Sequence, residues 1–110
     1  MAKAIFITGG GSGIGRAVAR RFAAEGWCVG LADIDAVGLA ATAALLPEGQ
    51  SSSHRLDVRD RAAWDTTLAE FAAFAGQIDV VFNNAGVAHA GPLALGSQGE
   101  IDELDRKSVV

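Results

Sequence analysis

Eight residues near the amino terminus, Thr8-Gly9-Gly10-Gly11-Ser12-Gly13-Ile14-Gly15, have the composition of an anion cradle. Glycines let a backbone take positive-φ conformations and approach a ligand with no Cβ in the way. Ahead of the run stands Ala4-Ile5-Phe6-Ile7, which reads as a buried strand. Behind it, Ile14, Ala17, Val18 and Phe22 recur at i, i+3, i+4 and i+8, the spacing of an amphipathic helix. A helix opening directly behind such a turn directs unpaired N–H groups and the positive end of its dipole at whatever the turn holds. The occupant this predicts is a pyrophosphate.

Spacing narrows the nucleotide. A Walker A loop requires Gly-x4-Gly-Lys-Ser/Thr; Gly10 and Gly15 have the gap, but Arg16 and Ala17 follow, so the ATP/GTP reading fails. The Gly-x-Gly-x-x-Gly fingerprint of many dinucleotide sites is also missing. The pattern present is Thr8-Gly9-x-x-x-Gly13-x-Gly15. It resembles the cofactor loop of the short-chain dehydrogenase/reductase family. The resemblance implies that Gly9, Ser12, Gly13, Ile14 and Gly15 are cofactor-binding: Ser12 and the Ile14 backbone at phosphate oxygens, Gly13 and Gly15 for backbone geometry and packing.

Three further matches support it. Asp33 ends the second apolar run, Cys28-Val29-Gly30-Leu31-Ala32. A carboxylate there accepts hydrogen bonds from both hydroxyls of an adenosine ribose and repels a 2′-phosphate, which selects NAD over NADP. A helix-capping Asp is the alternative, and Asp35 fits that role better. Asp57-Val58 resembles the family's Asp-Val pair, whose Asp side chain and following N–H hold the adenine edge; a solvated surface carboxylate is the alternative. Asn83-Asn84-Ala85-Gly86 resembles the family's Asn-Asn-Ala-Gly element, with Asn84, Ala85 and Gly86 beside the cofactor ribose and Thr8 tied to this turn.

Catalysis in the family uses a Ser and Tyr-x-x-x-Lys, the Tyr as general acid/base. The 110 residues contain no tyrosine, and Lys3 and Lys107 belong to neither motif. No catalytic residue and no metal ligand is therefore assigned. Positioned acid–base groups contribute ~10²–10⁴ in rate, so this chain alone is expected to be feeble or inert. The implied activity, hydride transfer between NAD(H) and a small-molecule alcohol or carbonyl substrate, belongs to a completed protein. A non-catalytic dinucleotide-binding or subunit-interaction module that needs a partner chain is the alternative.

The elements that must position these residues follow from periodicity. The first helix is expected from Gly13 to about Glu25, stopped by Gly26. Asp35 caps a second helix through Leu46, ended by Pro47-Glu48-Gly49. Ser51 to Leu56 is a polar strand suited to an edge, and Asp60 caps a third helix. There Trp64, Leu68, Phe71 and Ala75 form a core stripe that stops at Gly76. Ile78 to Phe82 is a fourth strand. The βαβαβαβ order predicts an α/β fold, a Rossmann-type doubly wound parallel sheet of order 3-2-1-4 with helices on both faces. The ligand crevice would lie at the carboxyl ends of strands 1 and 4, where the two motifs fall.

Residues 1–110 are read as one partial NAD(P)-binding Rossmann domain, the amino-terminal half of the family fold with its carboxyl-terminal half absent. Ser97-Gln98-Gly99-Glu100 has the spacing of a capping box that opens a further helix, and the apolar fourth strand lacks a covering fifth. An uncovered apolar edge invites pairing, so a homo-oligomer is expected.

Net charge of -4 and a pI near 4.9 argue against nucleic-acid or anionic-membrane partners. The lone Cys28 forbids an internal disulfide, fits a reducing cytoplasmic setting, and reads as inert core. Arg16, Arg20 and Arg21 read as a solvated helix face with Arg21 and Glu25 paired at i, i+4. His54 is expected to face solvent. His89 is assigned no partner.

Overall fold

Alternation along the first strand decides which side each helix covers. In β1 (Ala4–Thr8), Ile5 and Ile7 point to one face and Ala4 and Phe6 to the other, all fully buried. Ile5 and Ile7 join Val29 and Leu31 of β2 (Cys28–Asp33) against α1 (Gly13–Ala24) and α2 (Ala36–Ala43). Ala4 and Phe6 join Ala32 and Val81 against α3 (Arg61–Ala75), which contributes Trp64, Leu68 and Phe71. With β3 (Ser51–Arg55) and β4 (Val80–Asn83) the sheet is parallel throughout, in the order β3-β2-β1-β4. The doubly wound topology expected from the sequence is the one observed. The computed structural model describes residues 2–84; the expected helix from Ser97 and the residue His89 lie outside them.

Several boundaries and faces differ from the sequence reading. The buried side of α1 is Gly15, Ala19 and Ala23, and Ile14 is 66 % exposed. At Gly15 the helix lies too close to the glycine turn for any side chain, a Cβ there falling 2.1 Å from the Gly9 carbonyl oxygen, while Val18 and Phe22 of the expected stripe pack partly buried against the same core. Helix α2 stops at Ala43, short of Leu46. Leu45 and Leu46 donate instead to Thr42 and Ala43 in tighter i→i+3 turns, as expected where Pro47 disfavours helical geometry in the residue before it. Leu46 is still buried in the core. Strand β4 begins at Val80 and not Ile78. The Asp79 carboxylate accepts the Ala4 N–H at 2.8 Å, which pins the start of β1 by a side chain.

The central aromatic cluster needs a glycine. A Cβ on Gly30 would lie 2.8 Å from ring carbons of both Phe6 and Phe71. Its absence lets Phe6 sit 5.6 Å from Phe71 and edge-on to Trp64 at 5.9 Å. Cys28 packs at the border of this cluster, where burial pushes its thiol pKa up, against reactivity.

His54 does not face solvent. Its side chain is 11 % exposed, with the ring 6.2 Å from Phe6 and 6.4 Å from Phe71. Nε2 meets the Ser52 hydroxyl and Nδ1 lies 3.5 Å from Glu70 Oε1. Burial lowers the imidazole pKa below its ordinary 6.5, with Glu70 acting in the opposite sense. The folded state therefore favours the neutral ring, and the stability this confers is present above pH 6.5 and lost as pH falls through the depressed folded value. The melting temperature should drop between pH 7.5 and 5.5, and His54→Gln should flatten that part of the curve. A wild-type profile already flat in this window would show that His54 is not buried neutral.

Candidate cofactor site

Parallel register brings the carboxyl ends of the central strands together. Thr8 pairs with Ala32 on one side and with Asn83 on the other, so β1, β2 and β4 finish at one level. Across that edge the Thr8 hydroxyl donates to Asn83 Oδ1 at 2.9 Å, both residues buried. The Asn84 amide reaches the Gly9 carbonyl at 3.5 Å, and the Gly10 N–H donates to Ala32 O at 3.0 Å. The glycine turn is thus anchored to both neighbouring strand ends, including the tie from Thr8 expected of the sequence.

Within the turn the glycines have different reasons. Gly9 and Gly13 take φ of 71° and 55°, which side-chain-bearing residues rarely adopt. A Cβ on Gly13 would meet nothing within 4 Å, so the backbone there borders open space. On Gly15 a Cβ would fall 2.1 Å from the Gly9 carbonyl oxygen, so that glycine lets α1 abut the turn. Ser12 is the N-cap of α1 in extended conformation, yet its side chain makes no capping hydrogen bond. Helices α2 and α3 are capped, Asp35 accepting from Val37 and Gly38 and Asp60 from Ala63. Only α1, of the three described helices, starts without a side-chain cap, and it starts at the open side of the turn. That combination fits a phosphate group.

Asp33 stands at the end of β2, half-buried. Its Oδ2 accepts the Gly11 N–H at 2.9 Å and its Oδ1 the Asp35 N–H at 3.0 Å, which fixes the plane of the carboxylate. Each oxygen keeps a lone-pair direction for a further donor. Arg55 Nε donates to Ile34 O at 3.3 Å, bringing a guanidinium to the residue after Asp33. Asp57 follows β3; Oδ1 accepts from the Arg59 N–H and Nε, each at 3.0 Å, and Oδ2 from Nη2 at 2.9 Å. These bonds to Arg59 pull the Asp57 pKa from 3.8 to about 2. Val58 is half-buried against the α3-side core. Ala85 and Gly86 lie outside the described residues.

Two residues at this edge carried no signal for the cofactor in sequence reasoning. Gly11 supplies the amide that holds Asp33. Arg16, expected on a solvated face, instead turns back under the glycine turn: Nη2 donates to Gly11 O at 2.6 Å and Nε to Thr42 Oγ1 at 2.8 Å. The solvated reading does hold for Arg21, whose pair with Glu25 is exposed on both sides. An arginine contacting two elements 5 and 26 residues away leaves no local periodicity to find.

The family model described as short chain dehydrogenase matches residues 3–107. The chain belongs to that family. It is 46 % identical over 89 residues to meso-2,3-butanediol dehydrogenase of Serratia marcescens, covering 81 % of this chain and 36 % of that one. The crystal structure of levodione reductase superposes with a TM-score of 0.73 at 40 % identity, over 76 % of this chain and 34 % of that one. A 3-ketoacyl-(acyl-carrier-protein) reductase from Brucella melitensis, complexed with NADH, gives 0.69 at 29 %, over 73 % and 33 %. The chain spans about a third of the length of these relatives. The family binds nicotinamide dinucleotides, and the residues described here are its cofactor-binding part.

Proposed function

We propose that this chain is the NAD-binding portion of an oxidoreductase that interconverts a small-molecule alcohol and its carbonyl compound. The carrying observation is the Asp33 carboxylate, fixed at the end of β2 by two backbone N–H groups beside an uncapped helix start. The first turn of α1 takes the pyrophosphate, with Gly9, Ser12, Gly13, Ile14 and Gly15 lining it. Asp33 takes the adenosine ribose hydroxyls. Asp57 and Val58 border the adenine, and Asn84, Ala85 and Gly86 the second ribose. When bound, a nicotinamide supplies hydride exchange with a carbinol or carbonyl carbon. The relative named meso-2,3-butanediol dehydrogenase favours a vicinal diol as the substrate class.

The 110 residues hold no tyrosine, so a tyrosine-dependent proton transfer is not carried out by them alone. That favours, as a second reading, a non-catalytic dinucleotide-binding or subunit-interaction module that needs a partner chain. No described helix is long and apolar enough to cross a membrane. A cytoplasmic setting and a homo-oligomeric state complete the proposal.

Cofactor choice tests the reading. Arg55 beside Ile34 is a cation that would favour a 2′-phosphate, whereas Asp33 opposes one. Calorimetric titration should show NAD binding at least about tenfold more tightly than NADP, since hydrogen bonds to a charged acceptor contribute ~1.5–3 kcal/mol. Asp33→Asn keeps an acceptor for Gly11 but removes the charge, and should narrow that ratio mainly by improving NADP. Equal affinities in the wild type would sink the assignment of Asp33.

A further inference from the structure

Gly11 is gripped at both ends of its peptide units. Its N–H is held by Asp33 Oδ2 at 2.9 Å, and its carbonyl accepts from Arg16 Nη2 at 2.6 Å. Arg16 is itself anchored on α2, with Nε on the hydroxyl of the fully buried Thr42 at 2.8 Å and Nη2 3.4 Å from Gly38 O. The turn and α2 leave little room for anything else at this contact. A Cβ on Gly38 would lie 2.6 Å from the Gly11 carbonyl oxygen, and one on Gly11 would lie 2.8 Å from Asp33 Oδ2. The guanidinium therefore joins the glycine turn to α2 at the place where the turn orients the carboxylate.

We propose that Arg16 is a positioning residue for nucleotide discrimination: by clamping Gly11 against α2 it fixes the direction of the Asp33 carboxylate, and it does so without touching the nucleotide. This rests on the assignment of Asp33 to the adenosine ribose. The geometry supports a clamp because the guanidinium donates to Gly11 on the turn and to Gly38 and Thr42 on α2, one element on each side. A planar fork suits the task, since its donors leave in fixed directions.

The test is the ratio of NADP to NAD dissociation constants, measured by calorimetry on the 110-residue chain and its variants. Arg16→Met keeps the aliphatic stem and removes the donors; the ratio should fall about tenfold, the size of one charge-assisted hydrogen bond. Arg16→Lys, with one donor able to reach Gly11 O, should recover part of it. In the Asp33→Asn background, Arg16→Met should leave the ratio unchanged, because the group it positions is already altered. Thr42→Val removes only the anchor and carries the same readout, with a smaller fall, if Arg16→Met does not fold. A wild type that discriminates while Arg16→Met discriminates equally well overturns the proposal and leaves Asp33 in place. The clamp also fails if Arg16→Met shifts the ratio as much in the Asp33→Asn background as it does in the wild type. A wild type indifferent to the 2′-phosphate overturns the ribose assignment itself, and the clamp with it.

Discussion

Gly15→Ala is expected to destroy dinucleotide binding and to destabilise the fold together. The added Cβ would stand 2.1 Å from the Gly9 carbonyl oxygen and 3.1 Å from the Gly10 Cα, both backbone atoms. Backbone cannot rotate away as a side chain does, so α1 and the turn must separate by roughly an ångström, and overpacking of this kind costs about 1–3 kcal/mol. Separation moves the uncapped helix start away from the turn that faces it. A pyrophosphate that needs both the turn and the helix start should then be held far more weakly. Titration with NAD and a urea melt should therefore both respond. A Gly15→Ala chain that melts early but binds NAD with wild-type affinity would show that α1 plays no part in the site.

The second large effect lies on the opposite face of the sheet. Phe71→Ala should cost ~3–5 kcal/mol, set against a total of about 5–15 kcal/mol for a domain of this size. Phe71 is fully buried and lies between Phe6, His54 and Phe74. Its contact with Gly30 adds a sharper test. Gly30→Ala alone is overpacked, with the new methyl carbon 2.8 Å from Phe6 Cδ1 and Phe71 Cδ1. Removing the Phe71 ring relieves one of those two clashes. The double variant should thus be more stable than the sum of the singles by about 1 kcal/mol. Strict additivity in denaturant melts would mean that the glycine and the ring do not meet.

What the sequence conveyed well was whatever depends on local pattern. The continuous apolar run Ala4–Ile7, the Trp64/Leu68/Phe71 stripe and the capping residues Asp35 and Asp60 all appear where pattern puts them. The glycine turn and Asp33 could be placed from spacing and resemblance, and the fold sets them at one edge. What escaped was decided by close approach. The fully buried face of α1 is Gly15, Ala19 and Ala23, residues of low hydropathy, so the expected stripe was only half right: Val18 and Phe22 pack against the core, while Ile14 and Ala17 face out. His54 read as polar and outward, because the aromatic rings that cover it come from β1 and α3. Arg16 looked like one of three surface arginines, and its partners are set by the packing of α2 against the turn.

The missing side-chain cap on α1 has a consequence for how long the molecule lasts. Replacing a good N-cap by a residue that cannot cap costs about 1 kcal/mol, and here Ser12 is present but makes no such bond. An anion seated on that first turn supplies the absent acceptor and binds only the folded chain. Occupancy then enters the folding equilibrium, adding ~2.7 kcal/mol when free ligand is about a hundred times its dissociation constant. Proteolysis acts on the unfolded fraction, so a dinucleotide held at that turn would lengthen the chain's half-life in proportion to its supply. A serine hydroxyl turned inward would stabilise the empty protein, break that link, and compete with the ligand for the same N–H groups.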